Sequence, residues 1–185
     1  MLEVSLTALT FLTQIVLGFA VTNPVSYTNP ADTHEELYCL ALNAYHEARG
    51  VGMDEMIAVS QVVMNRVDRS VYGTVCEVIM EGPTRESWRT RQDDTLKDEE
   101  RVYYPVRDKC QFSWYCDGKS DVVYNLAGWE DAVIASYLAY NGYGEDRVDG
   151  ALYYYAHKRI PMPNWAKNML VTAILEGHTY LKYNT

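Results

Sequence analysis

The run Tyr45-His46-Glu47-Ala48-Arg49-Gly50 places an imidazole, a carboxylate and a guanidinium close together where a helical pattern ends. Glu47 therefore falls at the carboxyl end of a helix, where the macrodipole disfavours a negative charge. An apolar wall would raise its proton affinity further. A carboxyl group protonated near neutrality can hand its proton to a leaving sugar oxygen, the step on which glycosidic cleavage depends. The competing reading is a surface ion pair with Arg49 or another cation. His46 is next to Glu47, about 100° away around a helix, so the two do not face each other.

Other chemistries find less support. The pattern is not HExxH. His34, His157 and His178, with a glutamate, could build the zinc site of an amidase across the fold, but their scatter gives no spacing support. No metal site and no cofactor is assigned. Ser113 and the cysteines lack a G-x-S-x-G setting for a nucleophile. His157, behind a tyrosine run, could line a groove. Trp114 and Trp129 are sugar-stacking candidates or core residues.

The elements that must position these residues follow from periodicity. Asp32 and Glu35 have the form of a capping box. Leu37, Leu40, Ala41 and Ala44 then recur at helical spacing up to Gly50 or Gly52. A second helix is expected from Met53 to Val67, with Met56, Val59, Val62, Val63 and Val67 as its apolar stripe. Asp54 and Glu55 suit its first turn, where the dipole favours acids. Val75 to Met80 could be helix or strand. Residues 81–109 are charged and turn-rich, a long loop of the kind that often carries function. A helix is expected from Trp129 to Tyr140, with Val133, Ile134, Tyr137 and Leu138 inward. An extended run is expected over 150–156, and a last helix from Trp165 to Leu175. In the extended run Tyr154 and Tyr155 point to opposite faces, one to the core and one to solvent or a cleft.

The 185 residues suffice for one domain with a real core. A formal charge of -9, with only 16 Lys and Arg, argues against a nucleic-acid partner. It says less about a neutral glycan. Sixteen Tyr and four Trp against three Phe suit a wet groove, although most such tyrosines belong in a core. Cys39, Cys76, Cys110 and Cys116 allow three disulfide connectivities or four thiols.

The domain organisation read from these features is an apolar segment and linker over 1–31, then one domain over 32–185. Residues 4–21 are apolar and uncharged, at the lower limit for a membrane span. No cation precedes them, as a secretory signal would require. They can be read as a packed helix, an export signal or membrane anchor, or a disordered tail.

Six ordered pieces carry a resemblance. They are Leu40 to Gly50, Met56 to Val67, Thr74-Val-Cys-Glu-Val78, Cys110-Gln-Phe-Ser-Trp114 with Cys116-Asp-Gly118, Gly150 to Tyr155, and Trp165 to Tyr180. Together the chain resembles the SleB-like cell wall hydrolase family of spore-cortex, phage and bacterial peptidoglycan-degrading enzymes. The resemblance implies a lysozyme-like, mainly α (α+β) fold that cuts peptidoglycan glycan strands. It places the general acid on Glu47, and cleft-lining roles on Gln111, Phe112, Ser113 and Trp114 and on Tyr154 and Tyr155. Asn65 and Arg66 match an internal helix position, structural or catalytic. Many members carry a further acid where this chain has Val51, which weakens any scheme needing a second carboxylate there.

The expected reaction is lytic transglycosylation between N-acetylmuramic acid and N-acetylglucosamine. The alternatives are a hydrolysing muramidase, a zinc N-acetylmuramoyl-L-alanine amidase, and a non-catalytic wall-binding or virion structural module. The partner is peptidoglycan, with membrane contact through residues 4–21 and phage virion or lysis proteins left open. The chain is expected to act as a monomer, in the periplasm, outside the cell or on a virion.

Overall fold

The structure, a computed structural model, describes residues 35–69 and 73–184. In chain order these form α1 (Glu35–Ala48), α2 (Met53–Arg69), α3 (Val75–Ile79), β1 (Thr84–Glu86), α4 (Trp88–Arg91), β2 (Tyr103–Pro105), α5 (Leu126–Tyr140), β3 (Tyr153–Tyr155), β4 (Leu170–Ile174) and β5 (Thr179–Lys182). The fold is predominantly helical with two small antiparallel sheets. Residues 79–121 form one compact unit and the flanking residues another. The expected apolar N-terminal segment and the Asp32 capping position lie outside the described residues.

The larger unit is built on α1, α2 and α5, packed against one another. Their buried stripes follow the helical period: Leu37, Leu40, Ala41 and Ala44 on α1, Met56, Val59, Val62 and Val63 on α2, and Trp129, Ala132, Val133 and Ala135 on α5. The many alanines let the helices approach closely. A buried Ser60–Ser136 hydroxyl contact of 3.4 Å joins α2 to α5. The disulfide Cys39–Cys76 ties α1 to α3, and Val75–Ile79, open between helix and strand from its sequence, is helical. Gly50 and Gly52, at φ +88° and +112°, make the left-handed turn that ends α1 and starts α2.

The sheet of this unit has the order β3-β5-β4. Tyr154 stands opposite Tyr180, Tyr153 opposite Leu181 and Tyr155 opposite Thr179. The expected helix from Trp165 to Leu175 is not there. A single helical turn at Asn164–Ala166 is followed by strand β4. The run Leu-Val-Thr-Ala-Ile has β-branched residues that suit a strand, and pairing with β5 outweighs any helical spacing within it. Helix α5 begins three residues earlier than expected, capped by Asn125, whose side chain accepts from Gly128 N–H at 3.1 Å. Ile134, expected inward, is exposed. The alanines and Val133 supply that face instead.

The smaller unit replaces much of the expected long loop. β1 pairs with β2, Arg85 opposite Tyr104 and Glu86 opposite Tyr103, and α4 lies between the strands in sequence. Ser87 caps α4 by accepting from Arg89 N–H. Arg101 and Glu86 form an ion pair of 2.7 Å. The disulfide Cys110–Cys116 closes a short turn around Ser113–Cys116. The bridge leaves Gly82 no room for a side chain, since a Cβ there would sit 3.0 Å from the Cys110 Cα. None of the charged periodicity of 81–109 forecasts this hairpin, whose strands are only three residues long.

Candidate active site around Glu47

Glu47 lies in the last turn of α1, one helical turn beyond the buried Asn43. Residues four apart share a helix face, and the buried Tyr154 hydroxyl faces both side chains. Glu47 is half-buried. Burial raises its pKa. The opposing pull of His178, the Tyr154 hydroxyl and the charges of Arg159 and Arg66 does not cancel that effect. The Tyr154 phenol is held protonated, well above its ordinary pKa, by burial and by the Glu47 charge. It thus keeps a proton to donate.

The competing ion pair with Arg49 does not form the site. Arg49 donates to the Tyr45 hydroxyl at 2.6 Å, and that hydroxyl also accepts from the N–H groups of Tyr124 and Asn125. The group pins the end of α1 to the start of α5. His46 rests edge-on against the Tyr45 ring at 5.1 Å.

Sheet geometry supplies the rest of the wall. Residues directly opposite on antiparallel strands share a face, as do residues two apart on one strand. Tyr154 on β3 therefore shares a face with Tyr180 on β5 and with His178 just before it. The Tyr154 ring lies 5.1 Å from His178 and 5.8 Å from Tyr180. On the opposite face Tyr155 and Leu181 pack with Ala166, Tyr153 and Met169. Of the two tyrosines, then, Tyr154 reaches Glu47 and Tyr155 serves the core.

Beneath this wall is a second acid. Glu55, in the first turn of α2, is buried. One of its oxygens accepts from His178 Nδ1 at 2.8 Å and from the Tyr180 hydroxyl at 2.7 Å. The other accepts from Gly177 N–H at 3.0 Å. Burial pushes its pKa up, but the three donors outweigh burial and hold it below its ordinary value. Tyr180 is pushed far up, by burial and by the Glu55 carboxylate. A side chain at 177 would displace Val51, since a Cβ there would meet Val51 Cγ1 at 2.8 Å. Asp54, beside Glu55 in sequence, is exposed and paired with Arg147 at 3.1 Å.

Asn65 and Arg66 anchor the loop into β3. Asn65 donates to the Ala151 carbonyl at 3.0 Å and Arg66 to the Leu152 carbonyl at 2.6 Å. The Arg66 guanidinium lies 5.3 Å from the Tyr153 ring. These bonds fix the strand that carries Tyr154, and the Arg66 charge also acts on Glu47.

Of the residues expected from sequence, the structure brings Glu47 and Tyr154 together. His157 bonds Thr179 through Nδ1 at 3.2 Å, tying the end of β3 to β5. Gln111, Phe112, Ser113 and Trp114 belong to the smaller unit, where Gln111 and Ser113 are exposed and Phe112 and Trp114 are buried. Trp129 is buried against Tyr38 and Tyr45 and offers no face for stacking. All four cysteines form disulfides, so none is a thiol. Among the described residues no group of His, Cys, Asp and Glu is arranged to hold a metal ion. No described helix is long and apolar enough to cross a membrane.

Sequence reasoning missed His178 and the role of Glu55. His178-x-Tyr180 alternates like a strand, and reading it against Tyr154 would have found the histidine. Glu55 carries no such signal, because a first-turn acid is by default a surface residue.

A family model described as Cell Wall Hydrolase matches residues 50–181. The match takes in Glu55, Tyr154 and His178 and begins three residues after Glu47. No curated protein and no solved structure gives a match. The chain belongs to the cell wall hydrolase family.

Proposed function

We propose that this cell wall hydrolase cuts the glycan strands of peptidoglycan as a lytic transglycosylase, with Glu47 as general acid and then general base. The observation that carries the reading is the state of the two acids. Glu47 is only partly buried and held toward its protonated form, with no ion pair among the described residues, whereas Glu55 is buried with both oxygens taken by donors. A hydrolysing pair needs a second carboxylate to act on water or sugar. Glu55 is not available for that role.

In the proposed sequence Glu47 donates its proton to the oxygen between N-acetylmuramic acid and N-acetylglucosamine. The glycosidic bond breaks and the muramic sugar gains oxocarbenium character. The new Glu47 carboxylate is stabilised by the Tyr154 hydroxyl and the positive charges of Arg66 and Arg159. It then takes the proton of the sugar's own 6-hydroxyl, whose oxygen closes on C1 to give a 1,6-anhydro end. No water is consumed, and one carboxyl group serves both steps. An acid at a helix end, backed by helices and faced by a small sheet, supports reading the fold as lysozyme-like. Such an enzyme works where peptidoglycan lies, in the periplasm or outside the cell.

Digestion of purified sacculi followed by mass spectrometry tests the proposal. Anhydro-muramic products are expected, and Glu47→Gln is expected to fold, bind and release none. Reducing ends alone would assign the reaction to a muramidase. Full clearing by the Glu47→Gln chain would remove Glu47 from the chemistry.

A further inference from the structure

Half of the chain's 16 Lys and Arg lie between residues 79 and 121. Several of them gather at one place. A recess of about 400 Å³ in the smaller unit is lined by Arg85, Glu86, Ser87, Trp88, Arg91 and Tyr104. Its volume falls within the range of small-ligand sites. Trp88 is 65% exposed and Tyr104 55%, so two aromatic faces are open to a ligand. Arg89 lies 5.9 Å from the Trp88 ring and adds a third cation beside the recess.

The charges do not cancel. Glu86, the one acid in the lining, is paired with Arg101 at 2.7 Å. Among the described residues Arg85 and Arg91 form no ion pair. In a chain of net charge -9, two guanidinium groups beside open aromatic rings are an anomaly for a merely solvated surface. A guanidinium fork matches a carboxylate, and the ring faces match the apolar parts of the same ligand.

We propose that this recess binds the carboxylate-bearing stem peptide of peptidoglycan. The identity of the occupant rests on the proposed peptidoglycan reading, since the amino-sugar backbone is largely neutral and the free carboxylates of that polymer sit on its peptides. Arg85 and Arg91 hold the carboxylates, and Trp88 and Tyr104 hold the aliphatic side chains. The site adds affinity for peptide-bearing strands without taking part in bond cleavage.

Isothermal titration of the full chain carrying Glu47→Gln tests this. The probes are a disaccharide-tetrapeptide, the same disaccharide without peptide, the free tetrapeptide and a poly(glycerol phosphate). The peptide-bearing fragment should bind at least about tenfold tighter than the bare disaccharide, a conservative value for two charge-assisted contacts. That preference should shrink at about 0.5 M salt. Arg85→Ala with Arg91→Ala should abolish the preference and leave the bare disaccharide's affinity unchanged. Equal binding of the two fragments, or a preference that survives in the double variant, would overturn the inference. Tighter binding of the phosphate polymer than of the tetrapeptide would overturn the assigned occupant. A chain that shows the preference but yields no anhydro products would keep this site and lose only the proposed cleavage.

Discussion

Replacing Glu55 by Gln keeps the side chain's shape and removes its charge, so it isolates what the buried carboxylate does. The amide oxygen can stay with His178 and Tyr180, the donors at 2.8 and 2.7 Å. Its NH2 then faces the Gly177 N–H, which loses its 3.0 Å acceptor. One buried donor left without a partner costs about 1–3 kcal/mol. Loss of charge assistance in the other two bonds adds about 1 kcal/mol. Relief of the buried charge offsets part of this, which leaves about 2 kcal/mol. For a protein of this size that is a fall in Tm of about 4–8 °C. The pH dependence has a defined sign. The folded pKa of Glu55 is held below its unfolded value of about 4.3, so its contribution is complete above that pH and is lost as the pH falls through the lower folded value. Thermal melts by circular dichroism should show the full gap between wild type and Glu55→Gln at pH 7 and a closing gap below about pH 4. Equal melting temperatures at pH 7, or a gap that persists unchanged in acid, would refute the assignment of Glu55 as an ionised anchor.

Glu47 has the opposite sign. Its folded pKa is raised, so its carboxylate destabilises the fold above that pKa; Glu47→Gln should melt higher than wild type at pH 7 and equally in acid, by the same melts. Tyr154→Phe removes a donor that stabilises the Glu47 carboxylate, so the alkaline limb of the rate profile should move to higher pH, and kcat should fall about fivefold for a lost contact of roughly 1 kcal/mol. Cys39–Cys76 spans 37 residues and Cys110–Cys116 spans 6. Chain entropy then assigns about 4 kcal/mol to the first bridge and about 2 to the second, so paired Ser substitutions should lower denaturation midpoints more at the first bridge.

The helical core was legible because its signal is redundant. Four or more apolar residues at helical spacing, closed by Gly50 and Gly52, specify α1 and α2 whatever packs on them. The sheet was half legible. Tyr153–Tyr155 alternates between faces as a strand does, yet Leu170–Ile174 is too short to distinguish its period from a helix and is decided by its pairing with β5. The hairpin at Thr84–Glu86 and Tyr103–Pro105 depends on contacts across the segment between them, which no local pattern encodes. The position of Glu47 could be read because it depends only on its helix. The partners that lower its proton affinity come from residues 66, 154, 159 and 178, and those meet it only in three dimensions.

Val51 illustrates the limit most clearly. An apolar residue there read as the loss of a second carboxylate from this corner of the fold. The corner nevertheless contains one. Glu55, four residues on, brings its carboxyl group beside the same Gly177 that Val51 touches. It is not a second acid for the reaction, because its charge is spent on Gly177, His178 and Tyr180. Its effect on Glu47 is indirect. By fixing His178 against the Tyr154 ring, it holds a basic side chain and a phenol donor beside an acid that burial would otherwise leave unsupported once ionised. As they ionise the two glutamates act on the fold in opposite directions, Glu55 stabilising it and Glu47 straining it. They are joined through one histidine. In the proposed reaction, where Glu47 gives up a proton and recovers it, Glu55 is the neighbour whose three donors hold it in its charged form.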